Sequence, residues 1–413
     1  MTWKMISRLI NRGVPAVLLL LTAAMPAWAG APAVPVFEKT KLESRFLSEG
    51  ASLGDFNHDG KKDIVAGWLW FEGPDFTRRH EFAAPPAKPY DGEKSYSDYF
   101  LTYVHDFNGD KWDDILVYSW PGKEAVWYEN PKARDGHWKK HSISAEADNE
   151  SPALGDMNGD GKPELICHTG GRFGFFEADW NHPAQPWKFI AISPENKAEI
   201  FRYTHGYGFG DLNGDGRADI LEKNGWWEQP KDYRAGAVWK FHKVPFAPEG
   251  SMGGAQMLVY DVNGDGLADV ITSWNAHGCG IAWYEQVRKA GEISFKEHVL
   301  VGSKPEDNPY GVTFSQPHSL ALADMNGDGL MDFVTGKRFW AHGPNNDVNP
   351  GAPAVLYWFE LKRHHHQAQF IPHLIDSDSG VGTQITVGDL NGDKRPDIIS
   401  SNKKGLSIFI QKH

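Results

Sequence analysis

Asp55-Phe56-Asn57-His58-Asp59-Gly60-Lys61-Lys62-Asp63 is one of seven copies of a single nonapeptide in this chain. The other copies begin at Asp106, Asp156, Asp211, Asp261, Asp324 and Asp389, spaced 50 to 65 residues apart. Each reads D-x-N-x-D-x-x-x-[DE]. Gly holds the sixth position in five copies, and Lys111 and Lys394 hold it in the other two. Self-similarity at this period marks a repeat architecture.

The spacing also carries chemistry. The oxygen-bearing side chains are Asp55, Asn57, Asp59 and Asp63, then Asp106, Asn108, Asp110 and Asp114, then Asp156, Asn158, Asp160 and Glu164. The fourth and fifth copies supply Asp211, Asn213, Asp215, Asp219, and Asp261, Asn263, Asp265, Asp269. The last two supply Asp324, Asn326, Asp328, Asp332, and Asp389, Asn391, Asp393, Asp397. Oxygens at positions 1, 3, 5 and 9 converge only if the chain wraps around a point. A cation of calcium's size takes six to eight such ligands, and an EF-hand loop gathers them in the same way with its last acid at position 12. The alternative is an Asx-rich turn that needs no metal. Seven matching copies point to up to seven structural Ca²⁺.

Strand-like segments flank the loops. Around the sixth copy the pattern predicts strands at His318–Ala323, Asp332–Gly336, Val355–Glu360 and Gln369–Leu374. Four strands in about fifty residues make one propeller blade. Aromatic third strands recur at Trp127-Tyr-Glu-Asn-Pro131, Trp226-Trp-Glu-Gln-Pro230 and Trp283-Tyr-Glu-Gln286. After the seventh loop only two strands remain, at Asp397–Ser401 and Leu406–Ile410. The missing fourth is expected at Phe37–Leu42, which looks like the Trp138–Ile143 segment. The expectation is an all-β, seven-bladed β-propeller over residues 30–413, with four-stranded blades and a ring closed by the N-terminal strand.

Composition fits this reading. Gly 44 and Pro 26 in 413 residues favour short strands and many turns. A net charge of −12 argues against a nucleic-acid partner, because phosphate binding wants a basic face. Two Cys cannot make a disulfide framework. No apolar run reaches the roughly 18 residues a membrane span needs. Lys4, Arg8 and Arg12, an apolar run from Val14 to Ala24, and Ala27-Trp28-Ala29 read as a secretory signal over residues 1–29, cleaved near Ala29. Such a protein would be periplasmic or secreted and would meet abundant calcium.

Six residues before each loop stand Glu49, Phe100, Glu150, His205, Ala255, His318 and Thr383. In a propeller these line one mouth of the channel, together with loops after second strands that carry His277, Lys337, Arg338 and His342. A wet, polar rim is the ordinary expectation there. Several histidines at one mouth can also hold a transition metal or move protons near neutral pH.

These loops, in repeats of about fifty residues, resemble the FG-GAP/VCBS family of calcium-binding propellers, which includes the head of integrin α chains. That resemblance implies the fold and leaves the activity open. A second resemblance rests on Tyr203-Thr-His-Gly-Tyr-Gly-Phe-Gly210, Trp274-Asn-Ala-His277, Gln316-Pro-His-Ser319 and Thr335-Gly-Lys-Arg338. These are similar to the propeller of aldos-2-ulose (anhydrofructose) dehydratases, which eliminate water from keto-sugars. It implies that His205, His277 and His318 hold a divalent metal such as Zn²⁺, with Tyr203, Lys337 or His342 as the base. The competing reading is a non-catalytic propeller that binds glycan or protein.

Overall fold

The computed structural model describes residues 34–132, 134 and 136–412. The expected leader, residues 1–29, lies outside them. Among the described residues the fold is all-β, with 27 strands and two short 3-10 turns, Tyr233–Ala235 and Pro305–Asp307. No helix there is long and apolar enough to cross a membrane.

The strands form antiparallel sheets of the propeller type. Around the sixth loop the sheet runs Leu320–Ala323, Asp332–Gly336, Leu356–His364, Gln367–Asp376. The outer two strands exceed the expected lengths because their alternating pattern continues through Lys362 and Asp376. The turn at His364-His365-His366 is exposed, as a solvent-facing hairpin tip should be. At the chain ends, Phe37–Glu43 pairs antiparallel with Gly405–Gln411, from Phe37 opposite Gln411 to Lys41 opposite Ser407. This contact joins the first described strand to the last sheet.

One sheet has seven strands. Its middle strand, Lys139–Gly155, is 17 residues long. The first part pairs with Lys123–Glu129 and the second with Glu164–Thr169. The sequence reading ends a strand at Ile143. Residues 144–150, Ser-Ala-Glu-Ala-Asp-Asn-Glu, contain no Gly or Pro to break the chain, so the strand runs on from one repeat into the next.

The aromatic third strands carry a three-part device. Each Trp stacks on a His of the fourth strand: Trp70 on His80, Trp127 on His141, Trp226 on His242, Trp283 on His298 and Trp358 on His373. Ring centroids lie 3.9 to 4.4 Å apart. The Glu two residues after each Trp bonds the same His, as in His242 Nε2 to Glu228 at 2.7 Å and His298 Nε2 to Glu285 at 2.7 Å. In the strings after Trp127, Trp226 and Trp283 the next residue is Asn or Gln and reaches the previous repeat, whereas Gly73 and Leu361 stand there after Trp70 and Trp358; in the last sheet Gln411, after Phe409-Ile410, does the same. Asn130 Nδ2 donates to the Phe56 carbonyl, Gln229 Nε2 to Met157, Gln286 Nε2 to Leu212 and Gln411 Nε2 to Met325. A Trp-x-Glu-[Asn/Gln] string therefore packs its own sheet and staples the neighbouring loop.

The loops themselves are Asx turns. Asp55 Oδ1 accepts the Asp59 N–H and its Oδ2 accepts the Gly60 N–H. The acid at position 9 is buried in every copy and faces inward. Asp63 Oδ2 accepts the Phe56 N–H and Oδ1 the Gly73 N–H, both at 2.8 Å. Position 6 adopts a left-handed φ in all seven copies, from 68° at Lys394 to 84° at Gly266 and Gly329. This explains the glycines, and it leaves Lys111 and Lys394 in a conformation that side chains resist.

Candidate functional site

Segments far apart in sequence meet at the inner ends of the sheets. Backbone bonds link them in series. The Glu49 N–H donates to Phe100, Glu150 to Thr204, His205 to Met252, Gln316 to Gly278, Arg338 to Gln316 and Thr383 to Glu49. Their side chains are thereby brought to one place.

Arg338 is buried at its centre. Its Nη2 lies 3.1 Å from Glu49 Oε1 and its Nη1 lies 3.1 Å from Glu150 Oε2, so one cation bridges two carboxylates. Burial lowers the guanidinium's proton affinity, yet both carboxylates beside it keep that affinity above the ordinary value. Burial likewise opposes the charge on Glu150, but His205 and Arg338 outweigh it and hold the carboxyl down at about 2.

Beside this trio lie three histidines. The ring centroids of His205 and His277 are 4.7 Å apart, those of His277 and His318 4.8 Å, and those of His205 and His318 5.4 Å. One nitrogen from each lies within 4.8 Å of the others. His205 Nδ1 bonds the Tyr203 carbonyl at 2.8 Å and His318 Nδ1 bonds the Gln316 carbonyl at 3.3 Å. Those bonds place a proton on each Nδ1; in His318 this leaves Nε2 as the acceptor, while His205 Nε2 faces Glu150. His205 Nε2, His277 Nδ1 and His318 Nε2 are buried and have no hydrogen-bond partner. His205 Nε2 comes within 3.4 Å of Glu150 Oε2. Burial, with His205 beside it, pushes His277 down to about 3; burial and Arg338 push His318 well below the ordinary range. Both are neutral imidazoles at pH 7, the form that ligates metals.

The remaining candidates divide. The His342 ring sits 4.5 Å from that of His277, and its Nδ1 is 3.6 Å from Asp347. The Lys337 ammonium turns instead to Ser315 Oγ at 2.8 Å, and burial lowers its proton affinity. Tyr203 contributes its carbonyl to His205, while its ring leans on Trp120. Cys167 and Cys279 are both free.

A second polar group supports the histidines from behind. His168 is fully buried and its Nε2 bonds Thr204 Oγ1, next to His205. Its Nδ1 faces Asp148 Oδ2 at 4.0 Å. Burial takes His168 down to about 3 and takes Asp148 up to about 6. Channel-mouth topology marks Glu49, Glu150 and Arg338 in the sequence, but not that they pair. Nothing in the sequence pattern marks Asp148.

The nonapeptide loops are a separate matter. In the second, fourth, sixth and seventh copies a basic side chain already reaches the position-5 Asp: Lys132 to Asp110, Arg217 to Asp215, Lys362 to Asp328 and Arg395 to Asp393. The position-9 acids are raised by burial and by the neighbouring Asp residues, Asp63 to about 6, Asp332 to about 7 and Asp114 to about 8. Clustered carboxylates of raised proton affinity form a hard-oxygen donor set that a cation would relieve.

Residues 106–167 and 261–335 match the family model of the FG-GAP-like repeat. The chain carries FG-GAP-like repeats. Those segments contain the second, third, fifth and sixth nonapeptides. No curated protein matches the sequence. Similar solved structures include a lectin from Agrocybe aegerita described as recognising non-reducing terminal N-acetylglucosamine, at 17% identity over 88% of this chain and 85% of that one, with a TM-score of 0.49. An auxiliary nutrient binding protein from Bacteroides ovatus is 8% identical over 73% of this chain and 66% of that one, with a TM-score of 0.43. A triple mutant of AofleA from Arthrobotrys oligospora is 11% identical over 76% and 82%, with a TM-score of 0.42.

Proposed function

We propose that this is an exported, calcium-stabilised, seven-bladed propeller that holds a divalent transition metal at its channel mouth and binds carbohydrate there. The observation that carries the metal site is a trio of imidazoles that bring one nitrogen each within 4.8 Å of one another, and each of which has a buried nitrogen without a hydrogen-bond partner. Buried polar nitrogens ordinarily take a partner. Three imidazoles with an open fourth position suit zinc. The site residues fit the group: His205, His277 and His318 would hold it, and Glu150 would stand beside it. When bound, the metal would supply a Lewis acid able to polarise a ligand hydroxyl or carbonyl oxygen.

The seven-blade reading rests on seven loops, on one seven-stranded sheet built from two repeats, and on the pairing of Phe37–Glu43 with the last strand. Export rests on the leader pattern ending at Ala29, and calcium on the oxygen donor set of each loop.

Zinc titration with a competing chelator tests the metal site. The expected result is one tight site per chain, lost in His318→Ala and in His205→Ala. Equal affinity in the wild type and both variants would remove it.

A second reading, a lyase acting on keto-sugars, is favoured by one observation. His342 lies against His277 and is half exposed, placed to take a proton from a bound ligand. Lys337 and Tyr203 are directed elsewhere. An EDTA-sensitive absorbance rise with 1,5-anhydrofructose, lost in His342→Ala, would support catalysis. Binding without turnover across keto-sugars would leave the binding function alone.

A further inference from the structure

A cavity of about 1490 Å³ opens beside His205. It lies over the sheet formed by Tyr207–Gly210, Asp219–Glu222, Gly225–Glu228 and Lys240–Lys243. The segments 193–201 and 244–252 wall it, and Thr204 and His205 line it too. Pockets for single small molecules usually span about 300–1,000 Å³. This one is larger, with room for several linked units.

Its chemistry is mixed in a specific way. Phe201 and Phe241 line it while 39% and 37% exposed, unusual for rings that normally seek burial. Trp274 also lines it, its indole N–H held by Glu297 at 3.0 Å. Four carboxyl groups also line it, those of Glu199, Glu222, Glu249 and Glu297. Glu222 is buried at the floor, its carboxyl accepting both the backbone and side-chain N–H groups of Asn224 at 3.0 and 3.2 Å. Against these four acids the lining holds two lysines, and Lys223 is already committed to the Ser251 carbonyl.

Flat apolar faces suit the C–H faces of sugar rings, and an excess of acceptors suits ligands rich in hydroxyl donors. The negative balance repels polyuronates and other polyanions. An extended peptide offers one backbone donor and one acceptor per residue, a poorer match to an acceptor-rich wall. We infer that the cavity is a groove for a neutral polysaccharide, which lays successive sugar rings along Phe201 and Phe241 and presents its end to His205. The inference rests on the carbohydrate reading above and names the ligand's charge and length.

Calorimetric titration with hexamers and dimers of α-1,4-glucan, β-1,4-glucan, β-1,4-mannan and β-1,4-xylan tests it, with the galacturonate hexamer as the polyanion. At least one neutral hexamer should bind about tenfold or more tightly than its dimer, since two stacking faces are added. The double variant Phe201→Ala/Phe241→Ala should lose about tenfold, and Phe201→Tyr/Phe241→Tyr should regain it. Both rings are exposed, so the fold and the zinc affinity should not change. Failure of every neutral hexamer to bind, preference for galacturonate, capture of an extended peptide instead, or indifference to the ring changes would overturn the groove. Zinc binding without hexamer binding would sink the groove alone; hexamer binding without zinc binding would sink the metal centre alone.

Discussion

Replacing Arg338 by Met would leave Glu49 and Glu150 buried together without their shared cation. Two guanidinium nitrogens lie 3.1 Å from the two carboxylates, and all three residues are buried. Removing one partner of such a group typically costs about 3–5 kcal/mol, because a charge is left unpaired in a medium that solvates it poorly. In a domain this large each kcal/mol moves the melting temperature by roughly 2 °C, so a drop of about 6–10 °C is expected. The assay is calorimetric unfolding, with urea midpoints as a check. Adding Glu49→Gln and Glu150→Gln to Arg338→Met should restore most of the loss, since the unpaired charges go. A drop below about 2 °C, or a triple variant no more stable than the single one, would refute the reasoning.

Other expectations concern separate parts of the molecule. His168 is held neutral, with a folded value near 3 against the usual 6.5, so the folded state binds fewer protons than the unfolded one. The stability it confers is complete above pH 6.5 and drains away as the pH falls toward 3. Asp148, raised to about 6, acts in the opposite direction between pH 6 and 3.8. His168→Asn should flatten the acid side of the stability curve by up to about 1.4 kcal/mol per pH unit, and an unchanged urea-derived slope would count against it. Lys111→Gly and Lys394→Gly should each stabilise by about 0.5–1 kcal/mol by relieving a left-handed backbone; thermal shifts in the other direction would oppose this. Gln286→Ala should cost about 2–3 kcal/mol in urea unfolding, because it strips the Leu212 and Ala268 carbonyls of a buried donor. Excess EDTA should lower the melting temperature, and identical curves with and without calcium would end the claim for the loops.

Much of the architecture is legible because the nonapeptide does two jobs visible in its letters. Its Asp and Asn side chains cap a turn, and its position-9 acid locks that turn to the third strand. The strands beside it follow from alternation. The meeting of His205 and His318 is legible for the same reason, because both stand six residues before their own loops, and His277 joins them from the loop after a second strand. The pairing of Arg338 with Glu49 and Glu150 is less so, because ion pairs depend on side-chain reach across positions 289 and 188 residues apart. The Trp–His–Glu stacks hide in plain sight: Trp127-Tyr-Glu-Asn130 and Trp138-Lys-Lys-His141 read as two strand patterns until the pairing sets Trp127 opposite His141. The large cavity is not legible, since its walls are loops whose paths no periodicity constrains.

The unbroken strand Lys139–Gly155 has a mechanical meaning. It is shared by two successive repeats in the seven-stranded sheet, carrying Asp148 and Glu150 along the way. The two repeats that share it are joined in one sheet, and their amides should exchange with solvent together. A tug at the periphery, near Lys139, is transmitted along one ribbon to the carboxylate that steadies Arg338.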